Sequence, residues 1–185
     1  MNEAIFTQLQ KEMDQSVGAL RKELAKIRTG RASTALLEHI VVDYYGATTP
    51  LNQLATLSAP EARLLVIQPY DRGALGDIEK AILKSDLGLT PNNDGKIIRV
   101  PIPQLTEERR KELVKHVKRI AEEFRVSVRN HRRVAIEHLK DAEKKKQVTA
   151  DEAKHGQDRI QKVTDEYISR IEKIVKAKED EVMEV

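Results

Sequence analysis

Residues 106–146 read TEERRKELVKHVKRIAEEFRVSVRNHRRVAIEHLKDAEKKK, and no Gly or Pro interrupts them. Such a run predicts one continuous helix, roughly 60 Å long at the standard rise per residue. Thr106 stands where an N-cap is expected, and Glu107 and Glu108 put carboxylates in the first turn, at the positive end of the helix dipole. Each residue advances about 100° around a helix axis, which gathers Leu113, Val117, Ile120, Phe124, Val128, His131, Ala135 and Ala142 into one sector, the expected core face. Across from it fall Lys111, Lys118, Arg125, Arg129, Arg132 and Lys140, with Lys115 and Arg133 at the margin. A helix patterned this way needs neighbours to cover its apolar stripe.

Two further segments supply them. Leu9, Met13, Val17, Leu20, Leu24 and Ile27 recur at steps of three or four, predicting a helix over residues 3–28 that Gly30 stops. Thr149-Ala150-Asp151-Glu152 is a capping-box pattern that opens a third helix, with Ile160, Val163, Tyr167, Ile171 and Ile174 on one face and Gly156 as a weak spot. Between the first two helices the pattern turns to short β-rich runs: Ile40 to Tyr45, a turn at Gly46, Ala55 to Ala59, and Leu64 to Ile67. A helix over residues 73–86 with Gly88 as terminator, a turn over residues 91–95 and a strand over residues 97–102 complete that part. The fold class expected is α+β: an elongated antiparallel three-helix bundle formed by residues 1–29 and 105–185, with a small β/α/β domain inserted as residues 30–104. Two linkers would carry the insert at one end of the bundle. Thr29, Gly30 and Arg31 form one, and Pro101, Ile102, Pro103 and Gln104 the other, a pair that permits bending but resists free tumbling.

Composition excludes whole classes of chemistry. Cys is absent, which removes disulfides, thiol nucleophiles and cysteine metal sites and fits a reducing compartment. Aromatic residues are 3% and charged residues 34%, a balance that suits helix bundles built on Leu, Ile, Val and Ala. The apolar runs are far too short to cross a bilayer and the first residues lack a secretory pattern, so a cytoplasmic location is expected and no membrane. The five histidines show no HExxH spacing, and neither a phosphate-binding loop nor a GxSxG nucleophile is present. No catalytic residue, metal site or cofactor is therefore expected. Gly73-Ala74-Leu75-Gly76 matches the GXXG loop of one RNA-binding module, but four positions with two free match by chance and fit a helix start better. Tyr44 and Tyr45 could stack on bases, although adjacent strand residues point to opposite faces and one should belong to a core.

The formal net charge is only +3, yet residues 109–146 hold 14 Lys/Arg against 6 Asp/Glu. Charge runs on helices are usually solvated faces. This one is short of acidic partners, with Glu122 its clearest interruption, and it places Arg125, Arg129, Arg132 and Arg133 within nine residues. Guanidinium groups bind phosphate bidentately and stack on bases, so RNA is favoured over an inert face, and a membrane surface is disfavoured because no large aromatics flank the stripe. An acidic protein partner, with the chain as a helical adaptor, remains the alternative.

Several stretches also resemble a known family: residues 26–33 (KIRTGRAS), 42–46 (VDYYG), 85–89 (SDLGL), 99–103 (RVPIP), 105–111 (LTEERRK) and 128–133 (VRNHRR). Together they resemble the bacterial ribosome recycling factors over essentially the whole chain. The resemblance implies a bundle and a small domain joined by a hinge in an L shape of about tRNA proportions, acting as a monomer. It implies entry into the intersubunit space after termination and, with elongation factor G and GTP hydrolysis, separation of the subunits. It also implies that Arg110, Arg129 and Arg132 contact large-subunit rRNA. Joined to the charge pattern, this makes Arg110, Lys111, Lys118, Arg125, Arg129, Arg132 and Arg133 the candidate rRNA-binding residues.

Overall fold

A computed structural model describes residues 3–184 of the chain. Its helices are α1 (Glu3–Ala25), α2 (Leu51–Leu54), α3 (Leu75–Lys84), α4 (Glu107–Lys144) and α5 (Ala150–Met183). Its strands are β1 (Val41–Tyr44), β2 (Ala47–Pro50), β3 (Ala55–Glu61), β4 (Leu64–Pro69), β5 (Asn92–Asn93) and β6 (Ile98–Pro101). The chain divides into two compact units, one comprising the segment up to Arg28 with Glu107–Glu184, the other Thr29–Thr106.

The first unit is a three-helix bundle whose strand-like register can be read from side-chain pairs. Ser16 lies 3.3 Å from Ser127 and Glu12 lies 3.2 Å from His131, so numbering rises on α1 as it falls on α4 and the two are antiparallel. Arg159 pairs with Glu3 at 2.8 Å and Tyr167 donates to Asp14 at 2.5 Å, which makes α1 and α5 parallel. The core is the predicted α1 stripe, Leu113, Val117, Ile120, Val128 and Ala135 of α4, and Ile160, Tyr167 and Ile171 of α5. Ala121 and Leu139 of α4 are also fully buried, whereas Phe124, His131 and Ala142 are half-buried at the edge. On α5 the stripe runs through Thr164 and Val175, with Val163 and Ile174 on its flanks. Thr164 tolerates burial because its hydroxyl donates to the Ile160 carbonyl at 2.8 Å.

The helix ends follow local chemistry. At the start of α5 both capping-box bonds form: Thr149 N–H donates to Glu152 Oε2 at 2.8 Å and Glu152 N–H to Thr149 Oγ1 at 3.2 Å. The α4 end is a Schellman turn, in which Gln147 N–H donates to the Ala142 carbonyl and Lys146 N–H to that of Glu143. Its left-handed residue is Lys146, at φ 58. α1 stops at Ala25, earlier than predicted, as Lys26 and Ile27 form tighter bonds to carbonyls three residues back. α3 likewise ends at Lys84 rather than near Gly88, because the Ser85 hydroxyl donates to the Ile82 carbonyl at 2.6 Å and closes the last turn.

The second unit contains a four-stranded antiparallel sheet in the order β3-β4-β6-β5 and a separate β1–β2 hairpin. Alternation along β4 and β6 turns Leu65, Ile67, Ile98 and Val100 to one side, where they share a core with Leu75, Ile78 and Ile82 of α3 and with Val42. β2 and the short β5 were not anticipated. Both are brief, polar and held by pairing with a stronger neighbour, so hydrophobic period carried little trace of them. The chain reverses between β1 and β2 at Tyr45 and Gly46, both at positive φ, the two-residue geometry that matches strand twist. Gly73 does belong to a helix start: its N–H donates to Asp71 Oδ1 at 2.9 Å in a 3-10 turn that leads into α3.

Both connecting segments are fastened within this unit to the turn between β3 and β4. Ala32 N–H donates to the Ala62 carbonyl at 2.6 Å, and Ile102 N–H donates to the Arg63 carbonyl at 2.8 Å. Pro101 is itself a sheet residue, paired with Leu64. Gly30 adopts φ 74, and a Cβ there would stand 3.0 Å from Leu105 Cγ, so both backbone and space select glycine.

Candidate nucleic-acid interface

α4 is covered on one side by α1 and on the other by α5, and this decides what its cations can do. Helical geometry puts Lys118, Arg125, Arg129 and Arg132 about 60–120° from the core direction, on the flank next to α5, rather than opposite the core. The flank therefore has an inner margin, within reach of α5, and an outer one facing solvent.

Arg125 is on the inner margin and is a correction to the expected free stripe. Its Nε and Nη2 donate to the two oxygens of Glu172 on α5 at 2.5 and 3.1 Å, and its Nη1 donates to Glu122 at 3.0 Å. This guanidinium is saturated by two carboxylates and ties α4 to α5. A helical wheel considers one helix at a time, so the acid arriving from α5 was invisible to it. Arg132, also inner, meets a neutral group: Nη1 donates to Gln161 Oε1 at 3.3 Å, and Gln161 in turn donates to Asp165 at 2.8 Å.

On the outer margin Arg129 is exposed and donates to Glu122 at 3.2 Å. Lys111 pairs with Glu107 one turn earlier, at 3.2 Å, and both side chains are largely solvated. Lys118 and Arg133 are exposed and form no ion pair among the described residues. Arg110 stands apart from the stripe. It comes from the core side of the first turn, is half-buried, and its Nε is buried without a hydrogen-bond partner among the described residues. The flank thus offers solvent-facing cations along several turns, the pattern that phosphate contacts require. Glu122 lies among them with its pKa lowered, chiefly by its hydrogen bond from Arg125, so it is ionised at neutral pH.

The α1 side of α4 holds an arrangement that spacing could not reveal. Glu12 Oε2 is 3.2 Å from His131 Nδ1, and His131 Nε2 is 3.1 Å from Ser16 Oγ and 3.3 Å from Ser127 Oγ. Acid, imidazole and hydroxyl stand in the order of a hydrolase triad. The surroundings do not support that chemistry. Ser16 is only 8% exposed, and both serines lie mid-helix, where backbone N–H groups are already bonded four residues back and none is left to hold an oxyanion. The cluster satisfies polar groups along the α1–α4 seam, in keeping with His131 as a core-edge residue. Among the described residues no group of His, Asp and Glu is arranged to hold a metal ion, and no helix is long and apolar enough to cross a membrane.

Comparison with known proteins places these features in a family. The family model for ribosome recycling factor matches residues 20–183. A ribosome-recycling factor from Bacillus subtilis (strain 168) is 55% identical over 185 residues, covering 100% of both chains. One from Moorella thermoacetica is 60% identical over 181 residues, covering 98% of each. Among solved structures, the solution structure of a ribosome recycling factor matches with a TM-score of 0.74 at 47% identity, covering 100% of this chain and 98% of that one. A second match, with a TM-score of 0.65 at 46% identity and 100% coverage of both, belongs to models for the T. thermophilus ribosome recycling factor and the E. coli elongation factor G bound to the E. coli post-termination complex. Identity at this level along whole chains is far above what a shared fold alone requires, and the chain belongs to the ribosome recycling factor family.

Proposed function

We propose that the chain is a cytoplasmic, monomeric translation factor that binds the post-termination ribosome through large-subunit rRNA and, with elongation factor G and GTP, splits it into subunits for another round. Family membership supports the task, and the observation that carries the binding mode is the α4 flank, where Lys118, Arg132 and Arg133 form no ion pair among the described residues. Lys111 and Arg129 extend that surface, Arg110 adds a separate contact from the core side of the first turn of α4, and the bundle is the rRNA-binding domain. The chain supplies geometry and charge, and the energy of GTP hydrolysis comes from its partner. Force applied to the α/β domain would be passed to the bundle through residues 29–31 and 101–104, which act as the hinge.

Counterion release should dominate such an interaction, so affinity for large subunits is expected to fall steeply with salt. Arg132→Ala, with circular dichroism unchanged, should weaken binding by about 1–3 kcal/mol and flatten the dependence of log K on log salt by about 0.7–0.9. Filter binding across a salt series measures both. Unaltered affinity and slope would remove Arg132 from the interface, and a pull-down of the same partner that survives ribonuclease would replace RNA with a protein.

A further inference from the structure

Glu122 stands among the cations in the middle of the α4 flank, and its placement is specific. One carboxylate oxygen accepts from Arg125 Nη1 at 3.0 Å and the other from Arg129 Nη1 at 3.2 Å. Arg125 does not need this contact, because Glu172 already engages its Nε and Nη2. Arg129 forms no other ion pair among the described residues, and its side chain is 48% exposed. Two guanidinium groups and two carboxylates therefore cancel in the middle of the flank, between Lys118 and Arg133.

A carboxylate on a guanidinium has the same donors, the same charge sign and nearly the same bond lengths as a phosphate in that position. We propose that Glu122 is a built-in competitor which occupies the phosphate seat of Arg129, so that docking on RNA exchanges this carboxylate for a backbone phosphate. The inference rests on the rRNA-binding reading and adds a specificity device to it. An exposed ion pair is weak enough to be exchanged, yet its negative charge must be pushed aside. A stray polyanion touching only one or two cations gains little from doing so, whereas a surface shaped to meet the whole flank recovers the cost through Lys118, Arg132 and Arg133 together.

Glu122→Gln removes the charge and keeps the shape, at a position exposed enough that folding should not suffer. Binding to purified large ribosomal subunits would be measured over roughly 50–200 mM salt, beside Glu123→Gln, which changes net charge equally from an exposed position on another side of the same helix. The expected result is binding about three- to tenfold tighter for Glu122→Gln at low salt, with a slope close to that of the wild type, because the docked wild type already seats the same phosphate on Arg129. Glu123→Gln should tighten binding less. The gain should vanish when Arg129→Ala is added, since the seat is then gone. A steep wild-type salt response with an affinity that Glu122→Gln leaves unchanged, or that Glu123→Gln raises equally, overturns the proposal alone. A flat response in the wild type and all variants overturns the rRNA reading and this inference with it.

Discussion

Gly156 and Gly18 carry the same local preference and opposite tertiary contexts. Each lies inside a helix, where glycine costs about 1 kcal/mol relative to alanine. At Gly18 an added Cβ meets nothing within 4 Å, so Gly18→Ala should stabilise the bundle by about 0.5–1 kcal/mol. At Gly156 the same Cβ would stand 2.7 Å from Cδ2 of Leu139, which is fully buried and cannot swing outward. Gly156→Ala should therefore destabilise by about 1–3 kcal/mol of overpacking strain, outweighing its better helix propensity. Urea unfolding of the two variants reads both signs. A stabilised Gly156→Ala would mean that Leu139 repacks freely. In sequence Gly156 is a weak point, since propensity is all a single position discloses, whereas the α4–α5 contact makes it a point of close approach.

At the scale of the element, α4 shows which part of a helix is written in its own residues. The core stripe follows from period alone, because apolar groups three and four apart cannot avoid one face. The roles of the cations do not follow, since each depends on what an adjacent helix presents. Arg125 and Arg132 occupy equivalent inner positions, but α5 offers Glu172 to one and Gln161 to the other. Arg125→Ala is thus expected to lower bundle stability by about 1 kcal/mol, a modest figure because Glu172 is half-exposed. It should leave the salt slope of subunit binding close to that of the wild type. Thermal unfolding together with filter binding separates these effects, and a slope that falls as it does for Arg132→Ala would return Arg125 to the interface.

For the whole molecule, the connectors matter most. Ala32 and Ile102 are both bonded to the β3–β4 turn, so in the second connector only Pro103 and Gln104 lie beyond that anchor. On the proposed hinge, a disulfide that joins residues 29–31 to residues 103–105 should leave subunit binding within about twofold while slowing subunit splitting several-fold, because the cationic flank is untouched. Light scattering of ribosomes with elongation factor G and GTP, before and after reduction, measures the rate. Normal splitting in the oxidised form would make bending at these residues incidental.

The amino-acid sequence by itself determined the three helices, their buried stripes, the capping box at Thr149 and the inserted α/β segment, because period and capping are set by residues within a few positions of one another. It also marked the basic helix, since charge can be counted without coordinates. Only the tertiary structure decided that Arg125 is a clamp, that Gly156 is a contact, that Glu12 and Ser16 meet His131, and that Ala62 and Arg63 hold both connectors. Each of these joins residues far apart in the chain, and such pairs are chosen by how whole faces pack, which no local pattern encodes.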